Sequence, residues 1–193
     1  MKGSTNMSNL ISKGELSVDD YYALLEEGMR YELIWGRLYA MAAPSVQHQD
    51  ILRGLLVAID RYLSESGKNC KVYPAPFDVN LNPTENDTMV QPDISVICDP
   101  KKTENGACCL GAPDLVVEIT SKSNTSRDYI DKADAYVRAG VREYWIVDPV
   151  YSRIIVYSDI RDGIANGIAI YGLRDKVKSF LYEDMEIDFS KIV

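Results

Sequence analysis

Asp114-Leu115-Val116-Val117-Glu118-Ile119-Thr120 holds an unbroken apolar run, Leu115 to Val117, that stops at a glutamate. A strand with one wet face alternates apolar and polar residues, whereas a strand covered on both faces does not, so this run predicts a central strand. Downstream, Asn124-Thr125-Ser126-Arg127-Asp128 leads into Ile130, Ala133, Tyr136 and Val137 and stops at Ala139-Gly140, the pattern of a helix closed by glycine. Glu143 to Val147 reads as the next strand. Strand, helix and strand within about 35 residues form a βαβ unit, for which the crossover is expected to be right-handed and the strands parallel.

Upstream, Ser17 before Asp19, Asp20, Tyr21, Tyr22, Leu24 and Leu25 is an N-cap with an acidic first turn, and predicts a short helix ending near Gly28. Tyr31, Leu33 and Trp35, then Leu38 and Tyr39, alternate around Gly36-Arg37 as a hairpin does. Ile51, Leu55, Ile59 and Tyr62, with Leu52, Leu56 and Leu63, recur at helical spacing and predict an amphipathic helix from about Val46 to Glu65, closed by Gly67. Cys70 to Leu81 and Val90 to Cys98 read as neighbouring strands around the turn run Asn82 to Asp87, and Arg153 to Phe189 as further hairpin strands. The fold class expected is α/β, with a central mixed β-sheet flanked by helices. Residues 1–14 lack periodicity and read as a disordered tail, leaving 15–193 as one domain.

The length of 193 residues, with 46% hydrophobic and 26% charged, fits one globular core and excludes wholesale disorder or a fibrous repeat. No apolar run approaches the ~20 residues needed to cross a bilayer, and Met1 to Asn6 lacks the apolar stretch of a secretory signal, so no membrane contact and a cytoplasmic setting are expected. In that setting Cys70, Cys98, Cys108 and Cys109, which form no CxxC pair, read as free thiols. A formal charge of -8 repels a phosphate backbone unless basic groups gather on one face. Bound divalent cations would offset this locally, and a dimer could present a basic groove.

Three carboxylates stand at strand positions: Glu32 in Tyr31-Glu32-Leu33, Asp93 after Pro92, and Glu118 at the end of the apolar run. A carboxylate inside an apolar strand is unfavourable unless a cation or hydrogen-bond donors compensate its desolvation. Mg²⁺ takes oxygen ligands and keeps several waters, so Asp93, Glu118 and the Ile119 carbonyl would suffice to hold it, with Mn²⁺ as a substitute. A lysine nearby would orient the attacking water and offset charge on a phosphate, and Lys122 and Lys132 are the candidates.

Pro92-Asp93 and Glu118-Ile119-Thr120 are similar to the paired motifs of the PD-(D/E)xK nuclease superfamily. Tyr31-Glu32-Leu33-Ile34-x-Gly36, Gln91-Pro92-Asp93-Ile94, Gly111 to Glu118, Tyr129-x-x-Lys132 and Ala139 to Pro149 occur in order, and from about Leu16 onward the chain resembles the "Uma two" family of restriction endonucleases. The resemblance implies a restriction-endonuclease-like core with Glu32, Asp93 and Glu118 at one edge, magnesium as cofactor and DNA as substrate. Thr120 stands where the superfamily has its motif lysine, and the family's displaced lysine matches Lys132. Trp35 replaces the small polar residue usual before the hairpin glycine, which implies altered packing.

Each residue also has a plain structural use. Asp93 could be a turn carboxylate after proline, Glu32 could pair with Arg30 or Arg37, and Lys132 could be a solvated lysine paired with Asp128 at i,i+4. His48, the single histidine, sits at the start of the long helix as a cap neighbour or near the substrate. Asp78 could add a carboxylate behind the site, but strand alternation places many acids in solvent, and it is left out of the catalytic set. Tyr144-Trp145 reads as core and interface packing. The function expected is metal-dependent hydrolysis of DNA phosphodiester bonds by a homodimer, with Glu32, Asp93, Glu118 and Lys132 as the catalytic set. The alternative is an inactive domain of the same fold serving as an oligomeric scaffold, for which the charge and Thr120 argue.

Overall fold

The structure is a computed structural model and describes residues 15–25, 30–121 and 128–193, so the expected tail lies outside it. Helix α1 (Val18–Leu24) begins with a capping box: Ser17 Oγ accepts the Asp20 N–H at 3.2 Å, and Asp20 accepts the Ser17 N–H at 3.0 Å. It ends at Leu24, short of the expected Gly28, which is outside the described residues. Strands β1 (Tyr31–Ile34) and β2 (Arg37–Ala40) form the expected hairpin, but the turn is Trp35-Gly36 and not Gly36-Arg37. Both turn residues have positive φ, 51° and 70°, as a two-residue hairpin turn matching the strand twist requires. Trp35 therefore occupies a left-handed position that suits a small polar residue better. Helix α2 spans Val46–Glu65 as its spacing predicts, and buries Ile51, Leu52, Leu55, Ile59 and Leu63.

The two segments read as single neighbouring strands are each two strands. β3 (Lys71–Pro74) pairs with β6 (Ile94–Ile97), while β4 (Val79–Asn80) pairs with β5 (Met89–Val90), all antiparallel. The break falls at Pro76 and Pro92, which bring no N–H to a ladder. There the Ala75 N–H donates to the Asp93 carbonyl at 3.0 Å. The paired ribbon thus passes from one sheet to another, and Asp93 sits at the crossing.

β7 (Cys109–Leu110) runs parallel to β4, and β8 (Leu115–Ile119) is the apolar run read from the sequence. A π-helical turn (Asp128–Lys132) feeds helix α3 (Ala133–Ala139), which Gly140 closes at φ 86°. The expected helix start at Asn124 lies outside the described residues. β9 (Glu143–Asp148) is parallel to β8, completing the predicted βαβ unit. β10 (Arg153–Arg161) and β11 (Ile164–Gly172) form one hairpin, β12 (Lys176–Lys178) and β13 (Glu186–Asp188) another. The larger sheets run β2-β1-β5-β4-β7 and β11-β10-β9-β8-β6-β3, so β8 is central and all its residues are buried.

Residues of β8 alternate between two apolar layers. Leu115 and Val117 belong to the layer of Leu55 and Ile59 from α2, together with Trp145 and Phe189, whereas Val116 belongs to that of Tyr136, Val141 and Tyr144. Tyr144 and Trp145 are thus core on opposite faces of β9.

Cys70 and Cys98, expected as free thiols, are joined in a disulfide. Lys71 lies opposite Ile97 in the β3–β6 register, so the next pair outward is Cys70 and Cys98. That pairing follows from register and leaves no mark in local spacing. Cys108 and Cys109 remain free and buried. Among the described residues no helix is long and apolar enough to cross a membrane.

Candidate functional site

Ile94 lies opposite Val117 in the β6–β8 register, so the next pair is Asp93 and Glu118. Directly opposed residues of an antiparallel pair project to the same face. The Ile119 N–H donates to Asp93 Oδ2 at 2.7 Å, tying the crossing ribbon to the end of β8. Asp93, Glu118 and Ile119 line one cleft of about 180 Å³ together with Arg30, Glu32, His48 and Lys132. The structure therefore brings together every site residue expected from the sequence, while Lys122 is outside the described residues.

Lys132 is not the solvated lysine of the structural alternative. Its side chain is 3% exposed, and Nζ lies 2.9 Å from Glu32 Oε1 and 2.5 Å from Glu118 Oε1. Glu32 pairs with this ammonium, and the same oxygen accepts the Gln91 N–H at 3.0 Å. Glu118 Oε1 also accepts the Tyr136 hydroxyl at 2.5 Å. Burial, and then the charges of Glu118 and Glu32, hold the Tyr136 hydroxyl well above the ordinary tyrosine pKa, so it stays a donor. The sequence marked Tyr136 only as part of the helix pattern; its position four residues after Lys132, one turn along the same helical face, was the available signal for a site role.

His48 Nε2 lies 3.0 Å from Asp93 Oδ2. With a carboxylate as its neighbour, Nε2 is assigned as the protonated nitrogen, so Oδ2 accepts from both His48 and Ile119. Among the described residues Asp93 Oδ1 accepts no hydrogen bond, and buried His48 Nδ1 has no partner. Asp78, left out of the catalytic set, accepts the Gln91 side-chain amide at 2.8 Å and the Tyr22 hydroxyl at 3.3 Å. Gln91 thus links Asp78 to Glu32, a role its place beside Pro92 did not reveal. Thr120 is buried at the motif-lysine position, with Oγ1 unpartnered among the described residues.

The carboxylates of Glu32, Asp93 and Glu118 line the cleft with two cations, Lys132 on Glu32 and Glu118 and Arg30 nearby, which leaves an excess of negative charge in a poorly solvated place. The oxygen donors and the open Asp93 Oδ1 suit a hard divalent cation. Among the described residues no three His, Cys, Asp or Glu side chains are grouped to hold a metal by themselves. What the cleft could offer an ion is two carboxylates and the Ile119 carbonyl, and Mg²⁺ is one that needs few protein ligands and keeps its waters.

No curated protein matches the chain. Its structure is similar to the crystal structure of "a putative nuclease belonging to DUF820" from Anabaena variabilis ATCC 29413, with a TM-score of 0.73 and 17% sequence identity, covering 92% of this chain and 97% of that one. At that identity the likeness concerns the fold, and it agrees with the α/β architecture read from the sequence. Residues 18–179 match the model of a family described as "Putative restriction endonuclease". The chain belongs to this family, Uma2.

Proposed function

We propose that this protein is a Mg²⁺-dependent endonuclease that hydrolyses DNA phosphodiester bonds. The observation that carries the reading is the opposition of Asp93 and Glu118 across β6 and β8, with the Lys132 ammonium on Glu118. Asp93, Glu118 and the Ile119 carbonyl would hold Mg²⁺ or Mn²⁺, which when bound polarises a phosphoryl oxygen and acidifies a water. Lys132 orients the attacking water and offsets charge that builds on the phosphate. Glu32 and Tyr136 fix the positions of Lys132 and Glu118, and His48 fixes the Asp93 carboxylate. The protein acts in the cytoplasm, where its DNA substrate is within reach, and works as a homodimer, whose two copies address the two strands.

Purified protein with Mg²⁺ or Mn²⁺ is expected to nick plasmid DNA, and Asp93→Ala to lower the rate by about 100-fold or more, since even the outer partners of metal ligands are worth 10- to 100-fold. Equal inertness of wild type and variant across divalent ions and nucleic acids would reject the reading. A second reading, an inactive scaffold of the same fold, draws support from Lys132, which already neutralises part of the carboxylate cluster without an ion. Calorimetry separates the two: Mn²⁺ binding lost in Glu118→Ala favours the nuclease, and no binding favours the scaffold.

A further inference from the structure

Arg30 precedes β1 and lines the same cleft as Asp93, Glu118 and Lys132. Its Nε and Nη2 donate to Gln91 Oε1 at 2.9 and 2.7 Å. Gln91 is itself held, its amide nitrogen on Asp78 Oδ1 at 2.8 Å and its N–H on Glu32 Oε1 at 3.0 Å. The guanidinium is therefore clamped in place by a neutral amide, and among the described residues no carboxylate pairs with it.

Arg37, Arg61 and Arg174 also have no ion pair among the described residues, but all three are exposed, whereas Arg30 is half-buried at the cleft. Arg138, Arg142, Arg153 and Arg161 each lie within ion-pair distance of an aspartate. Glu32, two residues from Arg30, is occupied by Lys132 instead. Three of the five N–H donors of Arg30 have no partner among the described residues. A guanidinium fixed at a cleft, with its charge unpaired and donors to spare, fits a phosphate oxyanion, which it can grip through two parallel hydrogen bonds. Lys132, whose ammonium is shared by two carboxylates, can offset charge on the phosphate but has no planar fork with which to grip it.

We propose that Arg30 binds a backbone phosphate of the nucleic acid in this cleft, with Gln91 as its positioning residue. The inference rests on the proposed reading of the cleft as a phosphodiester site. It gives the acidic cleft a further cation to bring a polyanion close to three carboxylates, beside Lys132 and the ion.

The test is equilibrium binding of a fluorescein-labelled DNA duplex in Ca²⁺, followed by anisotropy over a series of KCl concentrations, with thermal melting as a check on folding. Losing one phosphate contact should make the plot of log K against log salt shallower by about 0.9 in Arg30→Gln, with weaker binding at low salt. Arg30→Lys should keep the wild-type slope but bind more weakly, because it keeps the charge and loses the fork. A structural role alone would leave the slope unchanged, so an unchanged slope in folded Arg30→Gln overturns the inference. A shallower slope in Arg30→Lys, or no salt-dependent binding by wild type, also overturns it. Wild type that shows the slope change on Arg30→Gln yet cuts no DNA in Mg²⁺ or Mn²⁺ would reject hydrolysis and leave the phosphate contact standing.

Discussion

Lys132 is buried between Glu32 and Glu118, and its removal would leave two carboxylates with an uncompensated charge in a poorly solvated place. Breaking a buried pair from one side costs about 3–5 kcal/mol, so Lys132→Met is expected to lower the unfolding free energy by that order in denaturant titrations. Mg²⁺ or Mn²⁺ should restore part of the loss, because either would supply the missing positive charge. A Lys132→Met protein as stable as wild type would contradict the buried ion pairs. The acids of this site were legible as residues because Glu118 interrupts the end of an apolar run and Asp93 follows a proline. Tyr136, Gln91 and Arg30 were not, since an aromatic on a helical face, an amide beside proline and a basic residue before a strand all have common structural uses. Only their hydrogen bonds distinguish them.

At the scale of elements, β9 is anchored to the segment after β12 through Glu143. One oxygen of this buried carboxyl accepts the Trp145 indole N–H at 2.5 Å, and the other accepts the Ser179 hydroxyl and the Phe180 and Leu181 N–H groups at 3.0, 2.8 and 2.6 Å. Burial pushes the Glu143 pKa up, and these donors only partly pull it back. A carboxyl whose pKa is higher folded than unfolded contributes its full stability below the unfolded value, about 4.3, and loses it as pH rises through the folded value. The stability of wild type relative to Glu143→Gln should therefore fall as pH rises from about 4 toward neutrality. Parallel pH profiles for the two proteins would contradict the raised pKa. The βαβ unit and α2 were legible because run length and periodicity are local properties of the chain. The split of the β3–β4 and β5–β6 segments was not, since Pro76 and Pro92 end a ladder only where a partner strand needs the missing N–H. The Cys70–Cys98 bond likewise depends on which residues face each other across β3 and β6.

At the scale of the molecule, β11 forms one edge of the six-stranded sheet, and Ile164, Ile168 and Ile170 on it are exposed. Residues 164–172 carry no charge and no proline, so this edge lacks the usual guards against pairing with a second copy. The proposed homodimer would use it, and Ile168→Lys is expected to shift sedimentation from dimer to monomer. A monomeric wild type would contradict the dimer and leave the cleft chemistry untouched. The cleft itself depends on the crossing ribbon, which carries Asp93 from one sheet to the end of β8 in the other. The most direct measurement is a crystal structure of the protein soaked in Mn²⁺, with anomalous density locating the ion. A peak within about 2.0–2.2 Å of oxygens from both Asp93 and Glu118 is the expected result. No peak there at saturating Mn²⁺, with Lys132 still on both glutamates, would contradict the shared-cation site.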